Sequence, residues 1–225
     1  MKQTPRIVVL GPQGAGKGTQ AGRLKHRFHV PHISLGDEIR AAVTKGTVQG
    51  KRLGKIINKG NMIPDHETNL IAKKRLARRD CQQGWIVDGY PRSMEQARPF
   101  QKIGQPNIVF YLHFLDRQAV RRLSGRRVCA KGHIYHIRHD PPKKRRGYCD
   151  HDGLKLKQRD DDTPTAIRKR LHIYHIRTEP VIAWYRHQGL VIEADASKSI
   201  PRVYRDLLRK LKRHAPWLFS RLKPT

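Results

Sequence analysis

Lys17 stands in the run GPQGAGKGTQ (Gly11 to Gln20), one ammonium among four glycines, and that combination suits one kind of ligand. A polyphosphate tail needs several backbone N–H groups converging on it, and side chains at Gly11, Gly14, Gly16 and Gly18 would stand in the way. A helix that begins at the lysine adds its free N–H groups and the positive end of its dipole, while the ammonium reaches the outer phosphates. The apolar run RIVVL precedes the glycines and the helix-like stretch AGRLKHRF follows them. Strand, glycine loop and helix in that order point to a nucleoside triphosphate site. The commoner form of the motif has Ser or Thr directly after the lysine; here Gly18 intervenes and Thr19 follows.

Other side chains fall where such a site would use them. WIVDGYPRSMEQA (Trp85 to Ala97) reads as a strand ending in Asp88, a turn Gly89-Tyr90-Pro91-Arg92, and a helix with Gln96 one turn beyond Arg92. Asp88 at a strand end could hold Mg²⁺ through water, Arg92 could clamp a phosphate with two N–H groups, and Gln96 could pair with a base edge. HISLGDEIR puts Arg40 on a helix after another strand end, where ligands of open α/β sheets collect. Each of these alone is an ordinary structural residue, but their joint occurrence at strand ends points to a second phosphate-bearing ligand.

Those positions demand a scaffold of alternating strands and helices. Arg6 to Leu10, His32 to Ser34, Trp85 to Asp88, Asn107 to Phe114 and Leu190 to Ala194 read as short buried strands separated by helix-length stretches. That alternation predicts an α/β fold with a five-stranded parallel sheet flanked by helices. Two stretches break the rhythm. Gly36 to Ile63 reads as a helical insert, and Gly125 to Asp162 is rich in Gly, Pro, His, Cys and basic residues. The second is too long for an ordinary connection and is expected to be a functional lid.

The chain has 225 residues, enough for one core with inserted lobes. Its first residues are polar and the apolar run behind them is too short for a signal peptide or a membrane span, so a cytoplasmic protein is expected. Three cysteines, Cys81, Cys129 and Cys149, make an odd number that suits a reducing compartment. The net charge is +30, with 13 Lys or Arg against 3 Asp or Glu between Arg121 and Arg159 and 8 against 1 from Pro201 to the end. Such a surface attracts polyanions, nucleic acid included, without sequence preference; a solvated basic surface is the plainer reading. No aromatic residues interleave with the basic runs as a base-stacking platform would require.

GPQGAGKGTQ, LGDEIRAAV, DCQQGWIVDGYPRSMEQA, GRRVC, YHIRHDPPK, CDHDG, QRDDD and IRKRLHIYH occur in one order from Arg6 to about Leu207. In that series the chain resembles a long-form bacterial adenylate kinase of the nucleoside monophosphate kinase family. The resemblance implies a P-loop kinase core (1–33, 64–124 and 163–225), an inserted NMP-binding lobe (34–63) and a lid (125–162). It also implies a monomer that transfers phosphoryl from MgATP to AMP. Matched residue by residue, Gly14, Ala15, Gly16, Lys17, Gly18 and Thr19 would cradle ATP, with Arg126, Ile134, Tyr135 and Lys198 as further contacts and Asp88 toward Mg²⁺. Leu35, Arg40, Asn61, Met62, Ile63, Gly89, Tyr90, Pro91, Arg92 and Gln96 would form the AMP site. Lys17, Arg92, Arg122, Arg159 and Arg170 would be the catalytic cations, the last two coming over the phosphates as the lid closes. Two kindred readings stay open: a kinase for CMP, UMP or GMP, and a kinase fold with an added RNA-binding role.

Two departures stand out. Leu35 replaces the family's usual Thr in ISTGD. In the lid, Cys129, Cys149 and Asp152 match three of four zinc-ligand positions, the second cysteine is missing, and His133 offers C-x3-H-x15-C-x2-D instead. A structural Zn²⁺ on Cys129, His133, Cys149 and Asp152, and a metal-free lid held by hydrogen bonds among polar residues, both fit.

Overall fold

The computed structural model describes residues 4–58 and 63–220. Its centre is a five-stranded sheet built from β1 (Arg6–Leu10), β2 (His32–Ser34), β3 (Trp85–Asp88), β4 (Ile108–His113) and β7 (Val191–Asp195). The spatial order is β2-β3-β1-β4-β7 and every pairing is parallel. The strands match those expected from the sequence to within a residue at each end.

Alternation along β1 explains why the run is apolar throughout. Ile7 and Val9 face one layer, with Leu24 and Phe28 of α1 (Lys17–Phe28) and Leu207 and Leu211 of α9 (Ile200–His214). Val8 and Leu10 face the other, with Phe100 of α5 (Met94–Gly104) and Ile182 and Tyr185 of α8 (Glu179–His187). A strand covered by helices on both faces has no polar side to show.

After β1 the chain builds β2 and β3 on one side of it, then crosses to β4 and β7 on the other. The reversal leaves a crevice beyond the carboxyl end of β1, the place where open α/β sheets bind ligands. Gly11 begins there.

Two inserts flank the crevice. The first comprises α2 (Leu35–Thr44) and α3 (Val48–Asn58), followed by α4 (Asp65–Leu76). Ser34 caps α2 by accepting from the Asp37 N–H at 3.3 Å. The second insert lies between α6 (Asp116–Ser124) and α7 (Pro164–Arg177). Thr163 caps α7 and Pro164 occupies its first turn, where a missing N–H costs nothing. The Gly-, Pro- and His-rich composition of this second insert signals no strand. It contains an antiparallel pair, β5 (Arg126–Val128) and β6 (Ile134–His136), extended by bridges from Val128 to Lys157 and Tyr148 to Lys155.

Candidate active site

Gly11, Gly14 and Gly16 have φ of 145°, 83° and 80°, a region that glycine alone adopts at little cost. At Gly11 a Cβ would also lie 2.5 Å from the Leu112 carbonyl oxygen of β4. α1 starts at Lys17 with no side chain capping it, so its first N–H groups point into the loop. The Lys17 ammonium donates to the Gly11 and Pro12 carbonyls, each at 2.9 Å. Burial pulls its pKa down to about 8, with Asp88 pulling back up and Arg92, Arg170 and Arg126 adding to the depression.

Asp88 ends β3 beside the first turn of α1, its Oδ2 3.2 Å from where a Cβ on Gly18 would stand. That contact gives a physical reason for glycine at position 18: a Cβ there would oblige the carboxylate to shift by a few tenths of an ångström. His32 was not singled out from the sequence. Its Nε2 is 3.6 Å from Asp88 Oδ2, reaching across from the neighbouring strand.

Arg122 donates to the Gly14 carbonyl at 2.9 Å and lies 4.2 Å over the Phe114 ring, which ties α6 to the loop. Thr19 is exposed in the first turn of α1, and Ala15 is buried.

Across the crevice lies a cavity walled by Leu35, Ile39, Ile57 and Ile63 and carrying Arg40, Gly89, Arg92, Gln96 and Arg170 among its polar lining. Gln96 orders one side of it. Its Oε1 accepts from the Arg92 N–H at 2.7 Å and its Nε2 donates to Asp65 at 2.7 Å. Arg92 Nε donates to the Gly89 carbonyl, and the Thr178 hydroxyl donates to the Arg92 carbonyl at 2.9 Å. Tyr90 is buried and donates to Asn69 at 2.6 Å. Asn61 and Met62 lie outside the described residues. Ile39, Ile57, Thr68 and Ile173 also line the cavity, and only the helical spacing of the first from Leu35 signalled any of them.

The cations come together, and several hold carboxylates. Arg170 donates to Asp161 Oδ2 at 2.6 Å, and Arg126 forms a two-pronged bond to Asp162 at 2.8 and 2.6 Å. Asp162 is fully buried. Arg159 makes no ion pair among the described residues; burial, then Arg126 and Arg40, draws its pKa down to about 10. Burial likewise lowers Arg92 and Arg170, each further depressed by other arginines, the mark of a site crowded with positive charge. Ile134 is exposed on β6, and Lys198 sits 4.0 Å from Asp195. The Tyr135 side chain turns into the insert, where its hydroxyl accepts from the Asp150 N–H at 2.7 Å, leaving its backbone for any ligand.

A phosphate loop facing a second cation-lined cavity is the geometry of a phosphoryl-transfer enzyme with two nucleotide sites, and comparison with known proteins agrees. The sequence pattern described as "Adenylate kinase" matches residues 9–190. The chain is 42% identical over 215 residues to "Adenylate kinase" of Streptomyces coelicolor, covering 92% of this chain and 99% of that one. It is 41% identical over 213 residues to "Adenylate kinase" of Methanococcoides burtonii, with the same shares, and 39% identical over 212 residues to that of Caldicellulosiruptor saccharolyticus, covering 92% and 98%. The chain belongs to the adenylate kinase family. It is a phosphotransferase of the nucleoside monophosphate kinase kind.

In this kinase the second insert holds a compact donor cluster. Cys129 Sγ lies 3.3 Å from His133 Nδ1 and 3.1 Å from Asp152 Oδ2; His133 Nδ1 is 3.1 Å from that oxygen and 3.3 Å from Cys149 Sγ. All four donor atoms fall within 4.8 Å of one another. Burial raises the Cys129 thiol. Asp152 is held well below the usual carboxylate range: burial opposes this, but the Leu154 N–H, both thiols and His133 outweigh it. Two sulfurs, one imidazole and one carboxylate around a common point form a donor set that suits a tetrahedral divalent ion.

Proposed function

We propose that the chain transfers the terminal phosphoryl group of MgATP reversibly to AMP, giving two ADP, and so balances the adenine nucleotide pool. The observation that supports this most directly is the pair of anion sites across one crevice, the Lys17 loop on one side and the Arg40, Arg92 and Gln96 cavity on the other. In this reading Gly14 to Thr19 cradle the ATP phosphates, and Arg126, Ile134, the Tyr135 backbone and Lys198 attend the rest of ATP. Leu35, Arg40, Asn61, Met62, Ile63, Gly89 to Arg92 and Gln96 receive AMP. Residues 34–63 act as the AMP-binding lobe and 125–162 as the lid, on a core of 1–33, 64–124 and 163–225.

The chemistry asks for placement and positive charge. The moving phosphoryl group spreads charge over its equatorial oxygens, and Lys17, Arg92, Arg122, Arg159 and Arg170 offset it. No side chain need act as base, because the AMP phosphate is already an anionic nucleophile. Mg²⁺ enters with ATP as part of the substrate, and Asp88, which feels the charge of Lys17 but is in no lysine or arginine ion pair among the described residues, would hold its water shell. Closing the lid excludes the water that would otherwise consume ATP. A Zn²⁺ on Cys129, His133, Cys149 and Asp152 would hold the lid together and take no part in the transfer.

Both nucleotide sites lie within one chain, which supports a monomer. No helix among the described residues is long and apolar enough to cross a membrane, and the reducing environment its free cysteines suit is that of the cytoplasm. The basic surface supports a general attraction for nucleic acid. A coupled assay of ADP formation from ATP with AMP, CMP, UMP or GMP tests the assignment. AMP should be the preferred acceptor, and a pyrimidine or GMP preference would replace it.

A further inference from the structure

The positive charge of this chain exceeds what its two substrates use, and one helix concentrates it. Along α9, Val203, Leu207 and Leu211 are buried against the core, while Arg202, Arg205, Arg209, Lys212 and Arg213 are exposed. Positions 202, 205, 209 and 213 repeat every three or four residues, so their guanidinium groups form one stripe about 16 Å long at the helical rise. Lys198, just before the helix, continues it, and a shallow groove is lined by Lys198, Arg202, Arg205, Asp206 and Arg209.

The one acid in that groove, Asp206, is already held by Arg209 at 2.6 Å and Lys210 at 3.1 Å. Arg202, Arg205, Lys212 and Arg213 make no ion pair among the described residues. Like charges at i,i+3 and i,i+4 destabilise a helix, so the Arg202, Arg205 and Arg209 row works against folding, in contrast to the pairs on Asp206 and to Lys212 and Arg213, which complement the dipole in the last turn. A linear polyanion would reverse the sign of that effect.

Three observations narrow the partner. The apolar side of α9 from Val203 to Leu211 packs on the core and leaves only Ile200, at the first turn, exposed, which is far less than the apolar face a helix lays into a lipid surface. No aromatic residue lies on the stripe, and the neighbouring Tyr204 ring is covered by the Arg23 guanidinium at 4.7 Å, so no platform exists for unstacked bases. A rigid, straight row of cations fits a rigid row of phosphates. We propose that the exposed face of α9 docks on the phosphate backbone of double-stranded nucleic acid without reading its sequence.

The test is salt-dependent binding of the full chain to two 20-base-pair DNA duplexes of unrelated sequence. Both should bind alike, with the logarithm of affinity falling linearly with that of salt. A triple variant, Arg202→Gln with Arg205→Gln and Arg209→Gln, should reduce the slope by about 2.7, which is about 0.9 for each phosphate no longer neutralised. A control of equal charge change on α4 and the turn after it, Lys73→Gln with Lys74→Gln and Arg78→Gln, should leave the slope in place. ADP formation should be unchanged in both variants, which reports that each is folded. Should the triple variant not fold, Arg205→Gln alone should lower the slope by about 0.9. Equal losses in the α9 and α4 variants, tighter binding to single strands or to phosphatidylserine vesicles, discrimination between the two duplexes, or no binding at ~50 mM salt, where multi-phosphate contacts are strong, would each overturn the proposal.

Discussion

Removing metal from the lid should loosen the lid and leave the core folded, and the structure says where the loosening would be seen. The lid has a core of its own consisting of Cys129, Tyr135, Cys149 and Leu156. Two of those four belong to the group that could hold a metal, so only Tyr135 and Leu156 contribute ordinary apolar burial, together about 3–6 kcal/mol. A structural zinc typically supplies about 10–16 kcal/mol of apparent binding free energy at neutral pH, which is folding free energy where the site does not preexist. The metal would therefore stabilise the lid more than its apolar side chains do. Asp150 lies between the donors Cys149 and Asp152, and its carboxylate accepts from the Lys143 N–H at 2.9 Å and the Lys144 N–H at 2.9 Å. Releasing the knuckle frees the KKRR run from Lys143 to Arg146, a natural substrate for trypsin. We expect freshly purified protein to carry one zinc per chain, and a strong chelator to expose a trypsin cut within 143–146 while fragments of the core persist. Cys149→Ala should do the same without chelator. Protein free of zinc, with a trypsin pattern and melting temperature that a chelator leaves alone, would refute this reasoning and leave hydrogen bonds in place of the metal as the lid's support.

Lys17→Ala should lower turnover by at least the ~10²–10³ typical of losing one preorganised donor, with melting unchanged; near wild-type turnover would sink the site assignment. With its pKa near 8 in the free enzyme, Lys17 should also place an alkaline limb near pH 8 in kcat/KM that moves higher in kcat once phosphates surround it, and coincident limbs would contradict this. Leu35 is 2% exposed and lines the cavity proposed for AMP, so Leu35→Thr should lower the AMP KM or sharpen preference over CMP and GMP. The gain should be up to about tenfold, the worth of one neutral hydrogen bond, and a broader preference would count against it. His175 lies 2.9 Å from Asp116 and 2.8 Å from Glu179, and first Asp116, then Glu179, raises its pKa. A raised folded pKa means stability fully present below the unfolded value of about 6.5 and lost as pH rises through the folded one. His175→Gln should therefore shift the urea midpoint at pH 5.5 more than at pH 9, and a shift independent of pH would show that the contact is not ionic.

The sheet and the phosphate loop were legible because their signals are local. RIVVL is apolar at every position after Arg6, as a strand covered on both faces has to be, and Gly11, Gly14 and Gly16 permit the positive φ that the loop takes there. The β5–β6 pair was not, since its strands have three residues each and carry arginines, histidine and tyrosine in place of an apolar alternation. His32 was missed because its meeting with Asp88 depends on the β2–β3 register, which aligns Ser34 with Asp88 and which no spacing within either segment reveals. Gln96, read as a partner for a base, spends both ends of its amide on Arg92 and Asp65 here, so it shapes the cavity as well as facing it.

Asp161 and Asp162 carry the same lesson into function. The run QRDDD drew attention to Arg159, yet the two aspartates after Asp160 decide how the other arginines stand. Asp162 grips Arg126 with both oxygens and lies within 4.0 Å of Arg170, and Asp161 holds Arg170 directly. A buried guanidinium without a counter-charge is costly, and several of them in one crevice would repel. The carboxylates remove that cost while keeping each cation aimed. Phosphates entering the crevice as proposed would compete for those same N–H donors, so the net gain from each arginine would be the difference between a phosphate and a carboxylate partner rather than the whole of an ion pair. Both aspartates stand where the second insert gives way to α7, so in the proposed reading an exchange of carboxylate for phosphate there would act directly on the chain through which the lid closes.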